Sequence, residues 1–194
     1  MSEQPPSFAA DQAVSTADEN ALLRASLADA QARIRELEAL VETDPLTGLG
    51  NRRRFESALE RVVGVAERHG AASAVLLVAV EGLAKIEERH GRFAADAALR
   101  HVAGLLSGLI RATDMVARVD EDRFALILDH LDHNSAIDTA ERIERCIAAD
   151  PVDLGPSVVA VKAVVAATCI LPGDAAGEVM LRLGRNLEAA RAQG

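Results

Sequence analysis

Asp120, Glu121, Asp122 and Arg123 set four charged side chains in a row between two apolar runs, Met115–Val119 and Phe124–Leu128. Both runs have β-strand character, so the segment is expected to form a hairpin that presents its chemistry at the turn. Just upstream, Arg111 and Asp114 stand at i,i+3. A guanidinium fork donates paired hydrogen bonds and a carboxylate accepts them. The plainer reading is a surface ion pair, a common and weak feature. Asp129-His130-Leu131-Asp132-His133 carries side chains able to bind metal. It follows a strand, has no recognised ligand spacing, and reads as a solvated loop. His69, His90 and His101 have no partner visible in sequence.

Composition narrows what these residues serve. The chain has 194 residues, enough for one domain of ordinary size plus an extension. Apolar residues make up 49%, but the aromatics are four Phe alone, so Leu, Val, Ile and Ala must fill the core. A formal net charge of −9 argues against function through phosphate-backbone contacts with nucleic acid, while leaving room for a small anion site. Cys146 and Cys169 lack metal-ligand spacing and read as reduced, partly buried thiols. No apolar run approaches the roughly 18 residues that cross a bilayer, and the first 20 residues lack signal-peptide regions. A soluble, cytoplasmic protein is expected, with neither nucleic acid nor membrane as partner.

Patterning divides the chain into a tail over residues 1–18, a coiled-coil helix over 19–42 and a globular domain over 43–194. The tail is Ser/Pro/Ala/Gln-rich without periodicity and is expected to be disordered. Leu23, Ala30 and Leu37 then fall on one heptad position, and Leu27, Ile34 and Val41 on the alternating one. Charged residues lie between, so the apolar seam has the 3.5-residue period of a two-stranded coiled coil. Thr43-Asp44-Pro45 and Gly48 break that helix. Beyond the break come a helix over Asn51–Glu67, a buried strand over Ser73–Glu81, helices over Leu83–His90 and Ala94–Leu109, and the hairpin. A helix over Ser135–Ala149, a strand pair within Pro156–Ile170 and a last helix over Gly177–Ala192 complete the order. This predicts an α+β fold: a central, mostly antiparallel sheet flanked by helices, preceded by the coiled-coil helix.

The hairpin resembles the signature of diguanylate cyclase (GGDEF) domains, where Gly-Gly-Asp/Glu-Glu-Phe occupies the turn held here by Asp120-Glu121-Asp122-Arg123-Phe124. Asp44-Pro-Leu-Thr-Gly-Leu-Gly-Asn-Arg-Arg53 is similar to the family's motif joining a signalling helix to the domain. Gly91 and Asp96 resemble its guanine-binding edge. The resemblance spans residues 44–194 and implies a palm-like nucleotidyl-cyclase fold in a bacterial second-messenger protein.

Against the family's pattern, several site positions differ. Ala79 stands where the resemblance places the first metal carboxylate, Ala84 where it places a phosphate-side lysine, and Glu87 where it places the guanine-reading Asn. Asp96 and Asp122 match, whereas Asp120 and Glu121 replace glycines whose backbone approaches the phosphates, and Arg123 reverses a charge. The family's C-terminal pattern is eroded to Leu183-Gly-Arg-Asn-Leu-Glu-Ala-Ala-Arg191. A carboxylate about 4 Å from a phosphate repels it by about 4 kcal/mol at an effective dielectric near 20.

Arg111-Ala-Thr-Asp114 matches the family's inhibitory Arg-x-x-Asp site for cyclic di-GMP, with Arg142 in register as a secondary arginine and Arg145 in reserve. The expectation is therefore a degenerate GGDEF domain that is not an enzyme and needs neither metal nor cofactor. It would act as a cyclic di-GMP receptor, a homodimer through its coiled coil, relaying signal to an unidentified signalling protein. The alternative is a ligand-independent pseudo-cyclase interaction module.

Overall fold

A computed structural model describes residues 20–34, 37, 42–69, 72–155 and 157–192. The expected tail and Val41 of the expected seam lie outside the described residues. The chain divides into two units between Val41 and Glu42. In the first, residues 20–34 form helix α1, with Leu23, Leu27 and Ile34 exposed along it.

In the second unit the elements run β1 (Gly50–Asn51), α2 (Arg52–His69), β2 (Ser73–Glu81), α3 (Leu83–His90), α4 (Arg92–Leu109), β3 (Met115–Arg118) and β4 (Arg123–Asp129). Then follow α5 (His133–Ala149), β5 (Val152–Asp153), β6 (Val158–Val159), β7 (Lys162–Cys169) and α6 (Ala176–Arg191). Five strands form the central sheet in the order β1-β3-β4-β2-β7. Only β1 and β3 pair in parallel; the other three ladders are antiparallel, as the sequence predicts.

The apolar run of β2 is explained by burial on both faces. Ala74, Leu76, Val78 and Val80 point into one core with Leu99, Leu106, Phe124 and Ile143, from α4, β4 and α5. Val75, Leu77 and Ala79 point into the other, with Phe55, Leu59, Leu183 and Leu187 from α2 and α6. Phe124, the one aromatic of the signature turn, is fully buried in the first core. Its position fixes which charged neighbours face out.

Edge strand β7 is closed against further pairing by side chains. Glu144 of α5 accepts from Val165 N at 2.6 Å, Asn186 donates to Ala167 O at 3.0 Å, and Arg182 donates to Cys169 O at 2.8 Å.

The strand pair expected within Pro156–Ile170 differs in one respect. Both strands form, but β6 pairs with β5 in a separate two-stranded sheet, while β7 pairs with β2. Ala160-Val161 has none of the left-handed-tolerant residues that a two-residue hairpin needs, so the chain passes from one sheet to the other. The tight turn comes earlier, at Gly155 (φ 84°) between β5 and β6.

Candidate functional site

The C-terminal end of β2, the hairpin turn and the starts of α3 and α4 enclose a cleft of about 710 Å³. Gly82 lines it, and two glycines set the turns around α3. Gly82 (φ 75°) turns the chain from β2 into α3, and Gly91 (φ 81°) turns it from α3 into α4. Both lie in the left-handed region that side chains resist. The lining includes Glu81, Glu87, Asp96, Asp120, Glu121 and Asp122 against Lys85, Arg92, Arg118 and Arg191. Six carboxylates face four cations, so the cleft is locally acidic. A polyanion entering it must lie along the cations.

The hairpin turn is fastened to its surroundings at several points. Val80 N donates to Asp122 O at 2.9 Å, tying the turn to β2. Arg52 Nε donates to Val119 O at 2.8 Å, and Arg118 Nη2 donates to Glu121 O at 2.7 Å. Arg118 Nη1 also reaches Asp44 Oδ2 at 3.3 Å. The other oxygen of Asp44 accepts from Thr47 N and Thr47 Oγ1, at 2.9 and 2.6 Å. The Asp44-Pro-Leu-Thr motif is thus a self-capped turn that also holds the signature hairpin.

Asp122 lines the cleft between two guanidinium groups. Its Oδ1 lies 3.6 Å from Arg123 Nε and its Oδ2 lies 3.7 Å from Arg191 Nη2. Opposite, in the ladder between β2 and β4, the partner of Arg123 is Ala79, which is fully buried and has no ligating atom. A divalent ion of the magnesium type needs a near-octahedral oxygen shell at about 2.0–2.1 Å. Among the described residues no three His, Cys, Asp or Glu side chains gather to supply one. With guanidinium groups at both Asp122 oxygens, these residues do not fit the metal that the fold implies.

Arg111 and Asp114 stand before β3, at the end of the strand away from the signature turn. Asp114 is held firmly: Oδ2 accepts from Arg111 N at 2.9 Å and Oδ1 from Asp129 N at 3.2 Å. Neither the Arg111 guanidinium nor that of Arg142, exposed on α5, enters an ion pair among the described residues. Arg145 pairs with Glu141 at 3.3 Å. Asp132 of the His-rich loop caps α5 by accepting from Ser135 N at 2.8 Å, which lowers its pKa. Cys146 and Cys169 are free and half-buried, and burial pushes the Cys169 thiol up.

Of the site positions read from sequence, Ala84, Glu87, Asp96, Asp120, Glu121 and Asp122 all line the cleft, while Ala79 and Arg123 sit behind it in the ladder. Lys85 and Arg92 were not singled out by sequence reasoning, yet both line the cleft. Lys85 stands one residue after the position where a lysine is expected, so a strict register comparison passes over it. Arg191 carries a comparable surprise, since its link to Asp122 joins two distant elements.

The family model described as "Diguanylate cyclase, GGDEF domain" matches residues 41–194. The chain belongs to the GGDEF family. It is 36% identical over 115 residues to diguanylate cyclase TpbB of Pseudomonas aeruginosa, covering 57% of this chain and 26% of that protein. It is 30% identical over 169 residues to MucR of the same species, a bifunctional diguanylate cyclase/cyclic di-GMP phosphodiesterase, covering 87% of this chain and 24% of MucR. The chain therefore spans about a quarter of the length of these curated relatives. Among solved structures, the coiled coil and GGDEF domain of DgcB from Caulobacter crescentus, in complex with c-di-GMP, superposes with a TM-score of 0.76. It shares 21% identity and covers 93% of this chain and 96% of that one.

These findings correct one expectation. The sequence reading that the chain is not an enzyme does not stand, because the GGDEF family is enzymatic and the relatives are named as diguanylate cyclases. That reading counted departures at individual positions. Cations elsewhere in the cleft, such as Lys85 and Arg92, were outside the count. Among the described residues, no helix is long and apolar enough to cross a membrane.

Proposed function

We propose that this GGDEF domain receives cyclic di-GMP at Arg111 and Asp114, with Arg142 assisting from α5, and passes the liganded state to a signalling partner. The observation that carries this reading is an immobilised carboxylate beside an unengaged guanidinium. Two backbone N–H groups hold Asp114 in place, and the Arg111 side chain is exposed without an ion-pair partner among the described residues. A carboxylate oxygen has lone pairs beyond those two bonds, so Asp114 keeps acceptor capacity for the N1/N2 donors of a guanine. Arg111 supplies the bidentate fork for the O6/N7 edge. The reading is supported by the fold shared with DgcB, whose structure contains c-di-GMP.

The relay rests on residues 19–42, which we read as a signalling helix that pairs two copies of the chain. Leu23, Leu27 and Ile34 recur at heptad spacing and are exposed in the single chain, as an unpaired seam would be. Degeneracy at Ala79, Asp120 and Glu121 accords with a domain whose ligand site lies outside the cleft. Calorimetric titration with cyclic di-GMP tests the receptor reading. Saturable binding at micromolar ligand is expected, with about two ligands per site if the dinucleotide binds as an intercalated pair. A flat titration would leave the ligand-independent interaction module as the better reading.

A further inference from the structure

Asp122 lies in the cleft and not at the Arg111 site, so its role is independent of the receptor reading. Its two oxygens face two different guanidinium groups, one from its own hairpin and one from the end of α6: Arg123 Nε at 3.6 Å and Arg191 Nη2 at 3.7 Å. Arg191 also lies 3.6 Å from Glu188, through Nη1. The two carboxylates and two guanidiniums cancel one another. Both arginines are set into the structure, each with an Nε atom buried and without a hydrogen-bond acceptor.

We infer that Arg123 and Arg191 are the built-in counter-ions of Asp122 and keep a divalent cation from binding there. The argument is one of charge and of space. A metal approaching Asp122 meets two fixed positive charges at its oxygens, and it finds Ala79, without a ligating atom, across the ladder. An incoming dication must displace both guanidiniums and leave Glu188 without its partner, in return for one carboxylate. Arg191 thereby acts as a positioning residue: it joins the last helix to the signature turn and holds the Asp122 side chain against it.

Manganese(II), titrated against the intact chain and followed by loss of the free-ion electron paramagnetic resonance signal, tests this without recourse to turnover. The wild type is expected to show no uptake at millimolar ion that depends on Asp122. The double variant Arg123→Glu, Arg191→Gln should gain uptake by about tenfold or more, on the scale by which groups around a metal shell alter affinity. Adding Asp122→Asn should abolish the gain. Circular dichroism establishes that each variant is folded. Should the double variant not fold, Arg191→Gln alone should show a smaller gain with the same dependence on Asp122. Uptake by the wild type that Asp122→Asn removes would overturn the inference. So would folded arginine variants that bind no more ion than the wild type.

Discussion

Asp44 Oδ2 and Arg118 Nη1 meet at 3.3 Å although 74 residues separate them in the chain. Both side chains are mostly buried, and both carry second jobs: Asp44 caps the Thr47 turn, and Arg118 donates to Glu121 O in the signature hairpin. The segment entering the domain and the turn bordering the cleft are therefore one mechanical unit. Whatever displaces residues 44–47 displaces the turn.

Asp44→Ala should for this reason cost more than an exposed ion pair. It strips Thr47 N and Thr47 Oγ1 of an acceptor and leaves the Arg118 guanidinium partly unpaired. A loss of about 2–3 kcal/mol in unfolding free energy is expected, against about 0–1 kcal/mol for an exposed pair such as Arg145–Glu141. Urea unfolding of Asp44→Ala and Glu141→Ala, compared with wild type, checks the difference. Amide exchange in the Asp44 variant should accelerate at residues 119–123 before it does in β2.

Asp174 and Arg182 join the β7–α6 loop to α6 by Nη2 and Nη1 contacts of 2.6 and 3.1 Å, and Arg182 reaches on to Thr168 Oγ1 and Cys169 O. The Arg182 hydrogen bond holds the Asp174 carboxyl below its ordinary value, assisted by Leu171 N. A depressed carboxylate stabilises the fold fully above the unfolded-state pKa, about 3.9, and that contribution fades as pH falls through the lower folded value. The shift on Arg182 is upward, and its effect is confined to strongly alkaline solution. Asp174→Asn should thus be destabilised relative to wild type at neutral pH. The gap should hold down to about pH 5 and narrow below about pH 4. Thermal melts of both proteins across that range measure it; a gap constant to pH 2 would refute the assignment.

Pairing through α1 is tested by Leu27→Asp with Ile34→Asp. These changes put like charges at adjoining layers of the proposed seam, where no flanking pair offsets them. Light scattering should report a dimer for the wild type and a folded monomer for the variant. A variant that remains dimeric places the contact elsewhere.

The fold was legible in the sequence where one periodicity dominated. β2 announced itself as a continuous apolar run because both of its faces are covered, and the hairpin did so because two apolar runs flank a charged turn. Pairing between strands was less legible. Two Val-rich strands separated by Ala160-Val161 suggest a hairpin, and only the lack of a suitable turn residue argues otherwise. The candidate site divided in the same way. Register placed Glu87, Asp96 and Asp122 at the cleft, but it could not show Lys85 there in addition, nor Arg191 brought to Asp122 by the packing of α6. The backbone donors that fix Asp114 are equally invisible in sequence, since every residue but proline carries one.

Those backbone donors shape the sharpest test of the receptor reading. Arg111 contributes only main-chain groups to the turn, its N–H donating to Asp114 Oδ2 and its carbonyl accepting from Asp114 N, so its side chain is removable without disturbing Asp114. Arg111→Ala should leave stability within about 0.5 kcal/mol of wild type, as an exposed substitution does. It should nevertheless weaken cyclic di-GMP binding by about ten- to a hundred-fold, the loss of one bidentate base contact of about 1–3 kcal/mol. Asp114→Ala removes an acceptor from Arg111 N and Asp129 N together with the ligand contact, so its effect on binding mixes turn geometry with recognition. Asp114→Asn is the cleaner change. Its side-chain oxygen still accepts one of the two bonds, while the group facing N1/N2 loses its charge and becomes in part a donor. That variant should lose discrimination between cyclic di-GMP and cyclic di-AMP more than it loses stability. Arg142→Ala, distant from the turn in sequence and exposed on α5, should weaken binding less than Arg111→Ala and should reduce its salt dependence. Calorimetry on the wild type and the four variants at two ionic strengths separates these effects. Variants of Arg111 and Asp114 that bind as the wild type does would return the pair to being a capped surface turn.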